Sequence, residues 1–413
     1  MASSAVIFLD KALLGLAAKP LMADLHLSKA EFGSLGSAAY LLFGVTCLIA
    51  GFLSERISPC WILLVCGLLW AAGQAPALFA VSGAAIYASR VTVGAAEGPA
   101  QPLAHMAAYS WFPNERRGLP AALITCGAAI GKLALAPVLT LVILHFGWRA
   151  GFLSVGLLAL TWSVVWFFTG RLGPYADKAA TGRAHEKTSD PQEEEKRAVR
   201  DSVPWRRILL NGTFLGALAA YFTQGALAAV VFTRLPSYFE DGLGFSAATS
   251  GSLFGLPSAM AIVALLSVGP ITDRLLRRGF SSRFVRGVFG GSCLVAAGLI
   301  LTLLHWVTSP VVAVALLMLG YGLSTTVQAV ANPAVAEIAP AARRGGALGV
   351  LTALGTSAGI ISPMFTGWLL DRSATEQQGY TDAFLVFGVL VAFGGLCFAL
   401  LVNPERDARR SLG

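Results

Sequence analysis

Residues 80–108 read AVSGAAIYASRVTVGAAEGPAQPLAHMAA, an apolar run of membrane-spanning length that carries one full positive charge, Arg90, and one full negative charge, Glu97. A helix needs about 20 apolar residues to cross a bilayer core. Seven residues make two helical turns, so Arg90 and Glu97 share a face about 10 Å apart along the axis. Neighbours on a helix surface stand three or four residues apart, so these two are not each other's best partner. Ionised groups in hydrocarbon face a partner, a bundle interior or a wet cavity, and they mark ion or substrate paths. One reading is a structural salt bridge between helices. The other, preferred here, is a cation for an anionic ligand beside an acid that takes a proton.

The remainder of the 413 residues extends this pattern. Charged residues are 13% of the chain and apolar ones 56%, with a mean hydropathy of +0.70. A soluble domain is about one-quarter charged, so the composition predicts an all-α polytopic membrane protein. Apolar windows of about 20 residues predict twelve spans, near 5–24, 33–53, 61–80, 83–108, 119–144, 149–170, 208–233, 248–270, 285–305, 310–333, 346–370 and 381–402. The six cysteines (Cys47, Cys60, Cys66, Cys126, Cys293, Cys397) fall in or at the edges of spans without metal-ligand spacing. They read as small apolar residues rather than disulfides or a metal site.

The net charge of +8 is not a nucleic-acid footprint. Basic residues crowd every second loop: Arg56, Arg116 and Arg117, the 178–207 segment, the 274–286 segment, Arg343 and Arg344, and Arg406 to Arg410. With Arg171, that side holds 22 of the 30 Lys and Arg, against Lys29, Arg149, Arg234 and Arg372 on the other. The positive-inside rule places the rich side and both termini in the cytoplasm of a multi-pass cell-membrane protein, with a bacterial inner membrane the expected setting. Arg234 and Glu337 sit at span ends and read as boundary residues.

Two loop motifs repeat. Gly51, Glu55 and Arg56 after the second span match Gly269, Asp273 and Arg274 after the eighth at a constant offset of 218 residues. Pro113-Asn114-Glu115-Arg116-Arg117-Gly118 is echoed by Pro340-Ala341-Ala342-Arg343-Arg344-Gly345, and each precedes a Gly-rich span with a late proline, Pro137 or Pro363. Repeated chemistry in both halves predicts two six-helix bundles, 1–171 and 208–413, joined by a mixed-charge cytoplasmic linker at 172–207.

Several polar residues interrupt the spans. Asp10 and Lys11 arrive after nine residues, without the form of a cleavable signal peptide. Either the true start lies upstream or the helix is short on its inner side; the two charges are a snorkelling pair at a helix end or, if the helix continues inward, both lie at membrane depth. Tyr40 falls in the Gly-rich second span and serves packing or ligand equally well. Lys132 stands alone in the fifth, and Glu97 is its obvious carboxylate partner. The second half offers Tyr221, Thr223, Gln224, Tyr321, Thr325, Thr326, Gln328 and Asn332, each as interhelical glue or, collectively, as a cavity lining.

These features resemble the major facilitator superfamily. Within it, the chain resembles the anion:cation symporter branch, which carries sugar acids, aromatic acids and other organic anions. The branch likeness rests on Phe8-Leu9-Asp10-Lys11, Arg90 to Glu97-Gly98-Pro99, Trp111-Phe112-Pro113-Asn114-Glu115-Arg116-Arg117-Gly118, Pro137 and Phe146-Gly147-Trp148-Arg149. The resemblance implies proton-titrating acids at Asp10 and Glu97 and substrate-binding cations at Lys11 and Arg90. Tyr40 would line the cavity, with Lys132, Tyr221, Gln224, Gln328 and Asn332 as further candidates, and Gly51, Glu55, Arg56, Gly269, Asp273 and Arg274 would gate. Lys11 stands where the branch has arginine, which removes the bidentate fork for a carboxylate. Glu55 replaces the usual aspartate. The implied activity is proton-coupled uptake of a small organic anion by a monomer in the lipid bilayer, needing no cofactor beyond the proton gradient. Alternatives are an efflux antiporter of the same fold or a solute sensor. The chain shows no nucleophile–base set, metal cluster or phosphate loop that would point to an enzyme.

Overall fold

The computed structural model describes residues 2–54, 57–112, 124, 131–174, 204–340 and 343–412, and every regular element among them is helical. Nine helices among the described residues are long and apolar enough to cross a membrane: Lys29–Ala50, Pro59–Leu78, Trp148–Thr169, Gly212–Gly242, Ala247–Arg277, Arg283–His305, Pro310–Ile338, Gly345–Arg372 and Glu376–Leu401. They coincide with nine of the twelve expected spans. The fourth span is the helix Gly83–Tyr109, long enough at 27 residues, whose Gly, Ala and charged positions dilute its apolarity. The first is divided into Ala2–Leu16 and Ala18–Leu25. Of the fifth, the part Leu133–Phe146 is a shorter apolar helix. The linker from 175 to 203 and the Pro113–Gly118 loop lie outside the described residues.

Helix starts follow local chemistry. Ser28 and Glu31 form a capping box that starts Lys29–Leu41 four residues earlier than the apolar pattern suggests. The seventh span begins at Gly212 rather than 208, because the Asn211 side chain accepts a hydrogen bond from the Phe214 amide at 2.8 Å and caps a new helix. Near the end of the eighth span the expected 269–278 loop is corrected to helix. Leu256–Arg277 carries Pro270 inside it and stops before Gly279, whose φ of 88° suits glycine. Gly269, Asp273 and Arg274 are therefore helical, with Asp273 and Arg274 exposed.

Contacts divide the described residues into two compact units, one drawn from 1–180, 226–259 and 357–383, the other from 181–225, 260–356 and 384–413. In the first unit, Lys29–Leu41 packs against both Gly83–Tyr109 and Ser362–Arg372. Small residues permit the close approach. A Cβ on Gly94 would overlap the Ala39 carbonyl, and one on Gly98 would overlap the Phe43 carbonyl. These two glycines bracket Glu97 and set the Tyr40–Phe43 stretch against it.

One end of this unit is sealed. Gly33 and Gly36 lie against Pro363, and Gly36 also meets Thr233. Asp371 accepts the amides of Lys29 (3.1 Å) and Ala30 (2.8 Å), and Lys29 Nζ reaches Glu376 Oε1 at 2.9 Å. Lys19 pairs with Glu240 (3.2 Å) and Asp241. Arg234, expected as a surface boundary residue, is buried at 1% exposure. Its guanidinium donates to the Lys29 carbonyl and stands 4.7 Å from the Phe32 ring centroid. The guanidinium itself lies against Gly367, where a Cβ would meet Nη2 at 2.7 Å, so the close packing of these helix ends encloses it.

The second unit closes with a C-terminal helix, Pro404–Leu412, that the apolar pattern does not announce. Asp407 Oδ2 accepts from the Thr213 amide and hydroxyl, both at 2.8 Å, and Glu405 accepts from the Ser282 amide at 2.6 Å. Burial alone would raise the Asp407 carboxyl, yet the Arg406 guanidinium and the Thr213 donors hold it below the usual range.

Two outcomes follow. Gly94→Val forces the second and fourth spans apart and should cost about 1–3 kcal/mol or more of stability, read by thermal unfolding in detergent. Asp407 contributes stability that is complete above the pKa of an unfolded aspartate and is lost as pH falls through its lowered folded value. Asp407→Asn should therefore melt several degrees below wild type at neutral pH, and the gap should close in strong acid.

Candidate functional site

Asp10, Lys11, Arg90 and Glu97 meet inside the first unit as two ion pairs. Asp10 is 2% exposed and lies inside the unit. Both its oxygens are engaged: Gln74 Nε2 donates to Oδ1 at 2.6 Å and Arg90 Nη1 to Oδ2 at 3.1 Å. Arg90 Nη2 donates to Gln74 Oε1 at 2.8 Å, closing a ring of carboxylate, amide and guanidinium. The guanidinium also lies 5.1 Å from the Phe152 ring centroid. Each charge here has a hydrogen-bonded partner, the condition under which burial is tolerable.

The second pair is looser. Lys11 Nζ lies 3.6 Å from Glu97 Oε2, with the lysine side chain 17% exposed and the glutamate 2%. The ammonium stands 5.0 Å from the Phe43 ring centroid and 5.9 Å from that of Tyr40, within reach of cation–π attraction. Glu97 Oε1 is buried without a hydrogen-bond partner among the described residues. Pro99 and Pro102 follow within the same helix and contribute no N–H to it. Arg90 and Glu97 thus share a face, as their spacing requires, but each is held by a residue of the first helix.

A cavity of about 30 Å³ runs between them, lined by Asp10, Lys11, Tyr40, Arg90 and Glu97 together with Gly36, Phe43, Phe232 and Thr233. It has room for a few water molecules. Its walls offer a half-buried ammonium, an acid with an open oxygen and aromatic faces. That combination can exchange a proton or hold a small anion.

The other expected residues are placed as follows. Lys132 belongs to a π-helical turn, Gly131–Leu135, but its side chain lies outside the described residues. Glu97, the carboxylate expected to meet it, stands 3.6 Å from Lys11. In the second unit the Tyr221 hydroxyl donates to Asn332 Oδ1 at 2.9 Å, joining two helices. Gln224 is buried at 6% exposure and Gln328 is exposed. None of these four lines the first unit's cavity. Gly51 falls on the helix Phe43–Leu53, and Glu55 and Arg56 lie outside the described residues. Sequence reading missed Gln74, although it is the sole amide in the apolar helix Pro59–Leu78. It also missed Phe232 and Thr233, which carry no signal beyond ordinary apolar composition.

A membrane-embedded helical assembly with ionised groups around an internal cavity is built like a solute carrier. Residues 1–332 match the model of the Major Facilitator Superfamily, and the chain belongs to that family. It is 25% identical to a probable sulfoacetate transporter of Cupriavidus necator, over 97% of this chain and 91% of that protein. It is 23% identical to a hexuronate transporter of Bacillus subtilis, over 96% and 92%. The fold superposes on the crystal structure of a D-xylose-proton symporter with a TM-score of 0.74 at 17% identity, covering 98% of this chain and 97% of that one. These relatives are transporters, not enzymes.

Truncating Asp10 to alanine leaves the Arg90 charge buried and unpaired. The expected loss is about 3–5 kcal/mol, measured by thermal or denaturant unfolding, with Asp10→Asn losing less because an acceptor remains.

Proposed function

We propose that this protein is a secondary active transporter that moves a small organic anion, a carboxylate such as a sugar acid or an aromatic acid, by alternating access and coupled to protons. The observation that carries the reading is the pairing of two cations and two acids around one cavity at membrane depth. The relatives that carry sulfoacetate and hexuronate support the anionic substrate class.

The chemistry runs through exchange of partners. With Glu97 ionised, Lys11 is neutralised by it and has little attraction left for an anion. Protonating Glu97 removes a buried negative charge and releases the ammonium to a substrate carboxylate. The loaded cluster then carries no more uncompensated charge than the empty one, which lets it cross a closed intermediate. Either acid of the cluster, Asp10 or Glu97, is chemically able to carry the proton. By the distribution of basic residues, the end sealed by Lys29, Arg234, Asp371 and Glu376 faces away from the cytoplasm. Its salt bridges must part for the site to open outward. The two six-helix repeats, 1–171 and 208–413, would rock about the cluster while the 172–207 linker tethers them. Uptake by a monomer in the cell membrane, termini inside, completes the reading.

The test starts with a thermal-shift screen of the purified protein against glucuronate, galactonate, sulfoacetate and benzoate. Uptake of the stabilising acid into proteoliposomes is then followed with and without an inward pH gradient. Glu97→Gln should abolish gradient-driven accumulation while retaining counterflow. Full gradient-driven accumulation in that variant refutes the assignment of Glu97, and accumulation only against an outward gradient turns the reading to antiport.

A further inference from the structure

Within the second unit, the early part of the seventh span and the late part of the twelfth touch at two places. A Cβ on Gly216 would crowd Leu401 and Val402, and one on Gly394 would overlap the Thr223 hydroxyl. Beside these contacts a groove of about 420 Å³ opens outward, lined by Leu215, Leu218, Ala219 and Phe222 of the one helix and Leu390 and Phe393 of the other. Thr223 also lines it, but its hydroxyl is spent on the Ala219 and Ala220 carbonyls at 3.1 Å each, so the wall is apolar. Leu215, Phe222, Leu390 and Phe393 are all exposed. The volume falls in the range of about 300–1,000 Å³ that holds small molecules.

The depth and the rim of the groove select its occupant. From Leu215 to Thr223 the helix rises about 12 Å, close to the half of a roughly 30 Å hydrocarbon core that one leaflet supplies. The end nearest Leu215 is basic. A Cβ on Gly212 would meet Arg406 Nη2 at 2.9 Å, so this guanidinium stands one turn from the groove, with its side chain 43% exposed. Arg409 is exposed one turn further along the C-terminal helix, and Arg206 and Arg207 are exposed on the short helix Trp205–Leu209 that leads into the seventh span. Trp205 and Leu210 add exposed apolar surface there, as interfacial residues do. Asp407 and Glu405 stand among the arginines, but both are engaged, Asp407 by Arg406 and Thr213 and Glu405 by the Ser282 amide. Four arginines against two acids leave this rim positive.

We propose that the groove is a binding site for a membrane phospholipid with an anionic headgroup, one acyl chain lying along Leu215 to Phe222 and the phosphate meeting Arg206, Arg207 and Arg406. The apolar wall suits a hydrocarbon tail, and guanidinium forks match phosphate oxygens. Each basic residue near the headgroup is worth about fivefold in affinity for an anionic lipid. A second copy of the chain fits less well, because a two-fold contact sets the same patch against itself and brings like-charged rims together. The site is separate from the charge cluster of the first unit and does not depend on the transport reading.

The test uses the whole chain, purified and stripped of lipid in detergent. It is titrated with palmitoyl-oleoyl phosphatidylglycerol or with phosphatidylcholine of the same chains, and bound lipids are counted by native mass spectrometry. Wild type should hold one phosphatidylglycerol about tenfold or more tighter than phosphatidylcholine. Arg206→Gln combined with Arg207→Gln, both on the exposed rim, should bring the two lipids close to parity without weakening phosphatidylcholine. Ala219→Trp fills the groove and should remove the tight site for either lipid. Ala219→Leu fills it less, should weaken both lipids several-fold, and keeps the test open if the tryptophan variant misfolds. Wild type without a headgroup preference overturns the proposal, as does an arginine double variant that keeps the preference or a folded Ala219 variant that binds like wild type. A dimer of the stripped protein that Ala219→Trp abolishes gives the groove to a second copy and overturns it too.

Discussion

A charge taken out of water has to be answered by another charge or by hydrogen bonds, and in a bilayer that demand is close to absolute. Four ionisable side chains, Asp10, Lys11, Arg90 and Glu97, meet inside the first unit and answer one another in pairs. Asp10 and Arg90 answer each other directly, with an amide bonded to both. Lys11 and Glu97 are answered partly, through a longer contact and two aromatic faces.

The helix packing serves this arrangement. Glycine at 94 and 98 lets the second span press against the fourth on either side of Glu97, which places Tyr40 and Phe43 beside the Lys11 ammonium. On another face of the second span, Gly33 and Gly36 allow close contact with Pro363, and Gly367 lies against the Lys29 carbonyl and the Arg234 guanidinium. The same device thus serves two purposes. At membrane depth it concentrates charge around a small wet space, and at the helix ends it locks that space away from one side. Surface-side ion pairs of the second kind are individually weak, which suits contacts that must break during a transport cycle.

Much of this could be read from residue order. Hydrophobic length and the sparse, one-sided placement of Lys and Arg determined an all-helical polytopic membrane protein, because bilayer thickness and charge cost leave few alternatives. The two-turn spacing of Arg90 and Glu97, and the adjacent Asp10 and Lys11, marked the candidate site for the same reason. Helix ends set by side-chain caps, at Ser28 and Asn211, and the helical 269–277 segment ran past what apolar periodicity can resolve.

Who pairs with whom was decided only in three dimensions. Asp10 chose Arg90 and Lys11 chose Glu97 because adjacent residues on one helix point about 100° apart, and the direction each points depends on how that helix is rotated against its neighbours. Gln74 and Thr233 entered the site through packing between spans distant in sequence, a relation that no local pattern encodes. Composition therefore determined that charges would be buried, and where along the chain. The tertiary structure alone decided which of them pair with one another and which small cavity they line together.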